Sequence, residues 1–346
     1  MPVLLLLLGC TSRAPDAVLA YLRGADGYTI APRPLPALVD PGTMSGTLGD
    51  VRHGGRLVGS DGEERYTGGR GLTVRYGLDE GVAVPADQDG LLLFSFYAHL
   101  SDARDALAAQ GVDLSPMFPV AIAWNPAVSP LLEVSPADNA AYAIGANLFL
   151  LLADGDDRDV PLLANAGVVS HELGHALFHL RMAGDPLAQA IVTDPASRAG
   201  MWQASLHEGF ADALAALLLD DPRFLDASVT MPARDLDGTA ILTEALLPDP
   251  DTLADSLLPI YDPYALGTVF ASLVWDLRVA TDDPEGTLAL LLAAVDAWAP
   301  AEDADFDGER FLDALHTAAI DVGQQEIVCD AIAVRMDGLL GVEGCR

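Results

Sequence analysis

Positive charge is scarce in this chain: 18 Lys and Arg stand against 51 Asp and Glu, a net charge of −33 over 346 residues. That balance repels phosphate, which argues against nucleic acid and anionic lipid as partners. The acid is dispersed rather than blocked, so it reads as a solvated surface, as of a protein working in salt. Cysteine is nearly absent too, with three in all: Cys10, and the pair Cys329 and Cys345 close together near the carboxyl end. In an exported chain such a pair reads as a disulfide tying down the last segment. Long apolar runs are also missing. The opening MPVLLLLLGCTS is too short to span a bilayer as a stable helix.

What is present centres on the stretch Pro161 to Asp185, PLLANAGVVSHELGHALFHLRMAGD. Proline at its start and Gly184-Asp185-Pro186 at its end bracket a helix of about five to six turns with no interior proline. At about 100° per residue, Leu162, Ala166, Val169, Leu173, Ala176, Leu177 and Leu180 share one face. His171, Glu172, His175 and His179 gather on another. Glu172 is the only formally charged side chain between Pro161 and Arg181, so the helix should be buried. An HExxH spacing lets two ring nitrogens reach one tetrahedral Zn²⁺, with Glu172 placed to contact a water there. A core helix whose histidines bond to carbonyls is the plainer alternative.

A third ligand is available in the next helical run, MWQASLHEGFADALAALLLDD, where Glu208 and Asp212 sit one turn apart and Leu206, Phe210 and Leu217 lie opposite. Gly184-Asp185-Pro186, Asp194-Pro195 and Gly200 provide enough punctuation for the chain to reverse between the two helices. Glu208 can then close the metal site, and Asp212 can accept the free N–H of a ligand histidine.

HELGH followed by HEGFAD resembles the gluzincin metallopeptidases, particularly the thermolysin-like and fungalysin-like groups. The resemblance implies His171, His175 and Glu208 as ligands of one catalytic zinc, Glu172 as general base and Asp212 as the outer partner of a ligand. It implies an α+β, zincin-type two-lobed fold, with a β-sheet lobe carrying the active-site helix and a mainly helical carboxyl-terminal lobe. It places Asn139 and Ala140 on an edge strand that pairs with extended substrate, and Arg234 on a substrate carbonyl. The segment YALGTVFASLVW is similar to the fungalysin-like one that contributes a transition-state donor, which implies Tyr264 in that role, with Tyr261 as the fallback. No histidine lies between His207 and His316, which favours the tyrosine branch. Peptide-bond hydrolysis, by an endopeptidase in the first reading, is the activity implied; a non-catalytic binding lipoprotein on the same scaffold is the main rival, and an exopeptidase of the same family is the second, between which and an endopeptidase the many acids allow no choice.

Leu7-Leu8-Gly9-Cys10 resembles a bacterial lipobox, which implies acylation at Cys10 and a place in the cell envelope. Four parts are therefore expected: a signal peptide over 1–9, a lipid anchor and Pro-rich tether over 10–41, a β-rich lobe with the zinc helix over 42–185, and a helical lobe over 186–346. A strand meander is expected between Gly42 and Pro85, including Arg65 to Thr67 and Leu72 to Tyr76. Further strands are expected at Pro119 to Trp124, Leu131 to Val134 and Ala146 to Ala153. Later helices are expected to begin near Asp262, at Thr287, at Gly308 and at Gln324. His99 reads as a satisfied core residue. The acidic ADGDDRD turn and the Asp303-Ala-Asp305-Phe-Asp307-Gly308 segment read as a solvated loop and a helix cap rather than Ca²⁺ sites. The anchor is checked by feeding labelled fatty acid to expressing cells: label should appear on wild type and vanish for Cys10→Ser.

Overall fold

The computed structural model describes residues 14–60, 63–128, 139–153, 158–182, 197–229, 234–249, 262–298 and 307–345. Cys10, Leu131 to Val134, Gly184-Asp185-Pro186, Asp194-Pro195, Tyr261, Asp303 and Asp305 lie outside the described residues, as does most of the ADGDDRD turn.

The chain opens with β1 (Ala17–Gly24), β2 (Gly27–Arg33), β3 (Leu38–Asp40), β4 (Ser45–Gly46), β5 (Val51–His53), β6 (Arg56–Ser60), β7 (Glu63–Thr67), β8 (Arg70–Gly71), β9 (Tyr76–Asp79) and β10 (Val82–Pro85). Helix α1 (Gln88–Ala109) follows, then β11 (Ala121–Trp124), β12 (Ala127–Val128), β13 (Asn139–Ala143) and β14 (Leu148–Leu152). The remainder is helical: α2 (Ala166–Met182), α3 (Arg198–Leu219), α4 (Pro263–Thr281), α5 (Pro284–Trp298), α6 (Gly308–Asp321) and α7 (Gln325–Met336). Strands thus precede most of the helices, an α+β arrangement.

The sheet that positions the site runs β13-β14-β11-β5-β8, with β11 parallel to both β14 and β5 and β13 antiparallel to β14. Every residue of β14, LFLLL, is buried, as an apolar run covered on both faces must be. A second sheet, β2-β1-β10-β9, packs β1 against α1, whose apolar start is helix throughout from its Asp87 cap onward. One apolar core runs from Val18 through the helices to Val342. At its far end the Cys329–Cys345 disulfide fastens α7 to the last turn, and Asp307 caps α6 by accepting from the Arg310 amide.

Three expectations are corrected. The segment read as a Pro-rich tether is folded from β1 onward: β1 and β2 pair along their length, and Val18 and Ala20 enter the core while Pro32 sits on the outer strand. Alternation of inward apolar residues outweighs the proline content there. The Gly42–Pro85 stretch is no single meander, because its strands join four different sheets and pair partly in parallel with later or earlier ones. Leu72 to Arg75 leaves the ladder altogether; Leu72 and Val74 are buried, and the Val74 amide donates to Gly42 O at 2.8 Å. Gly200 belongs to the first turn of α3 rather than to the connection before it, its amide donating to the Ser197 cap.

His99 is buried in α1, with Nε2 donating to Ala164 O at 3.0 Å. Burial pushes its imidazolium pKa down to about 4. The unfolded chain takes up this proton near pH 6.5 and the folded chain does not, so the stability from a neutral His99 is whole above about 6.5 and lost as pH falls towards 4. The loss is about 3 kcal/mol at most. Melting curves from pH 7 to 4 should show a shallower acid decline for His99→Gln than for wild type.

Candidate metal centre

Side chains that meet at this centre come from helices whose backbones touch. A Cβ on Gly174, between the two histidines of α2, would lie 2.7 Å from Ala211 Cα of α3. Gly209 and Gly267 do the same for α3 and α4: a Cβ on either would lie 2.6 or 2.7 Å from a backbone oxygen of the other helix. Only glycine permits these crossings. They bring Glu208, beside Gly209, onto the His171/His175 face and Tyr264, one turn before Gly267, to the rim.

The Nε2 atoms of His171 and His175 lie 3.5 and 3.7 Å from the same oxygen, Glu208 Oε2. Donor atoms of the three residues fall within 4.8 Å of one another. Glu208 Oε2 is buried and has no hydrogen-bond partner among the described residues. A carboxylate oxygen left so beside two imidazoles fits a cation: tetrahedral zinc, with bonds of about 2.0–2.1 Å, sets its ligand atoms roughly 3.3–3.5 Å apart. His316, Cys329 and Cys345 also cluster, but their sulfurs are bonded to each other.

Around these three the charges are paired. Asp212, fully buried, accepts from His171 Nδ1 at 2.9 Å and from the Arg234 guanidinium on both oxygens, with Arg234 Nε at 3.1 Å from Oδ2. Burial alone would raise the Asp212 pKa; the Arg234 charge and the His171 bond outweigh it and hold it below the ordinary value. Burial and Arg234 press His171 down, yet the Asp212 carboxylate bonded to it and the Glu208 carboxylate beside it prevail and raise it to about 9. A metal entering here therefore displaces a proton. His175 goes the other way: burial, then the neighbouring His207, keeps it neutral. Burial pushes Glu172 up to about 7, with the Tyr142 backbone amide bonded to its carboxylate.

The cleft has a volume of about 360 Å³ and contains Asn139 and Ala140 of β13 on one side, Arg234 and Tyr264 on another, and Glu172 with the three donor residues at its floor. Among the described strands, β13 is an outer strand of its sheet. Arg234 lies 4.9 Å over the Tyr264 ring. The Glu208 carboxylate, and then burial, keep the Tyr264 phenol protonated. His179, grouped with the ligands by helical spacing, instead lies beside the Tyr142 ring at 6.5 Å.

Sequence reasoning missed His207, which is buried with its ring 4.3 Å from that of His175 and its Nε2 bonded to His175 O at 3.2 Å. It also missed Leu225 and Val229, which form an apolar wall of the cleft from a loop without periodicity. The HE pair at 207–208 was a signal for the first; none existed for the wall. Compared with known proteins, the chain matches no family model and no curated protein.

Glu208→Ala removes one of three donors and leaves both helices intact, so metal content after dialysis, measured by atomic emission, should fall from near one metal ion per chain to a small fraction of that. Retention equal to wild type would remove Glu208 from the centre.

Proposed function

We propose that this chain is a zinc-dependent peptidase, an endopeptidase in which Glu172 is the general base. The observation that carries the reading is the meeting of two imidazole Nε2 atoms with an unpartnered Glu208 oxygen, next to Glu172, in a cleft bordered by the outer strand β13. Two nitrogens and one oxygen form a donor set that suits zinc and leaves room for a further ligand. When bound, zinc supplies Lewis acidity, lowering the pKa of a coordinated water and polarising a carbonyl.

The chain's own residues supply the rest. Asp212 takes the Nδ1–H of His171 and so leaves Nε2 as the nitrogen that would hold the metal. Glu172, raised to about 7 by burial, is poised to accept a proton near neutrality and return it to the leaving amine. Tyr264, held protonated, offers an O–H to the oxygen on which negative charge develops. Arg234 shares its guanidinium with Asp212 and faces the cleft, where it steadies the same charge or a substrate carbonyl. Asn139 and Ala140 present main chain to an extended peptide, which accounts for substrate entering as an added strand.

In this reading the β-rich part with α2 and the helical part from α3 onward are the two lobes of a zincin-type fold, closing on the cleft. Acylation at Cys10 would tether the enzyme to the envelope; among the described residues no helix is long and apolar enough to cross a membrane.

Glu172→Gln preserves size and helix propensity but cannot take the proton. Zinc content and Tm should match wild type while hydrolysis of casein or a quenched apolar peptide falls by about 10²- to 10⁴-fold. Equal cleavage by both would exclude Glu172 as base, and zinc-loaded protein that cleaves nothing in either form would favour a binding scaffold.

A further inference from the structure

The amino-terminal hairpin takes no part in that chemistry, yet it is hydrogen-bonded to the start of the metal helix. Tyr28 of β2 donates its hydroxyl to Asn165 Oδ1 at 3.0 Å and accepts from the Ala166 amide at 2.7 Å. Asn165 is wholly buried and immediately precedes α2. Its Oδ1 also accepts from the Gly167 amide at 2.7 Å, and its amide nitrogen donates to Ser228 Oγ at 2.9 Å and Leu225 O at 3.5 Å. The same loop lies directly on the first turn of α2, since a Cβ on Gly167 would be 2.1 Å from Phe224 O. Phe224 in turn stacks on His171, ring centroids 6.5 Å apart and planes at 16°.

We propose that Tyr28 is a positioning residue for the substrate-binding wall: through Asn165 it latches the first turn of α2 to the 224–229 loop and thereby holds Leu225 and Val229 against the cleft. The kinetic consequence rests on the peptidase reading; the latch rests on geometry alone. Without the hydroxyl the Ala166 amide loses its partner and Asn165 loses one of its anchors, so the loop spends part of its time undocked. Apparent substrate affinity then falls by the fraction of molecules with the wall in place. The metal donors are untouched, because His171, His175 and Glu208 are held by the glycine crossings and by Asp212.

Tyr28→Phe tests this beside Leu22→Ala, a control that removes packing from the same hairpin and leaves the latch whole. For Tyr28→Phe we expect wild-type zinc content, kcat within about twofold, KM raised about three- to tenfold, and faster amide exchange across 165–169 and 224–229. Leu22→Ala should lower Tm while leaving KM and exchange in those two segments at wild-type values. Wild-type KM and exchange in Tyr28→Phe would overturn the proposal, as would an equal KM rise in both variants. If wild type hydrolyses nothing, the peptidase reading fails and exchange alone decides the latch: acceleration in Tyr28→Phe only supports it, and no acceleration overturns it.

Discussion

Backbone contact between α2 and α3 at Gly174, and between α3 and α4 at Gly209 and Gly267, is the constraint on which the centre depends. Helices with ordinary side chains at a crossing stand about 8–10 Å apart. The missing Cβ atoms at Gly174, Gly209 and Gly267 bring the helices closer than that, inside a core of leucine, alanine and phenylalanine that admits little readjustment. The three segments HELGH, HEGF and YALG each carry their glycine within one turn of the side chain they deliver.

Such convergence concentrates negative charge in a buried place, in a protein that already has far more acid than base. Arg234 resolves the conflict. Its two-point pairing with Asp212 stabilises a carboxylate that burial would otherwise protonate, and Asp212 in turn orients His171. An arginine in this position is thus tied to the architecture of the centre before it meets any substrate. Glu172 has no such counterion in contact among the described residues and sits at the opposite setting, raised by burial. Two carboxylates of one centre, Asp212 beneath the cleft and Glu172 in it, are pushed apart in acidity by what surrounds them, the condition acid–base chemistry needs.

The β-rich part contributes in two ways. Strand β13 offers an outer edge to the cleft, and the β1–β2 hairpin reaches the other end of α2 through Tyr28. Both depend on pairings between residues far apart in the chain, and both lie in stretches rich in proline, glycine or alanine, where local pattern is weak.

Periodicity and spacing in the sequence were sufficient for the helices of the centre and for the candidates His171, Glu172, His175, Glu208 and Asp212, because i, i+4 geometry is set by the helix itself. Start and stop chemistry likewise located α4, with Asp262 as its cap, and the cysteine pair was legible from its separation. Only the tertiary structure decided that Glu208 faces the histidines with an unpartnered oxygen, that Arg234 belongs to Asp212, and that His179 does not join the donors. The folding of the supposed tether and the sharing of the supposed meander among four sheets were also decided there. The physical reason is common to these: a helix face is written in neighbours three and four residues apart, whereas a strand's partner, a buried ion pair and a loop wall are chosen by groups tens to hundreds of residues away.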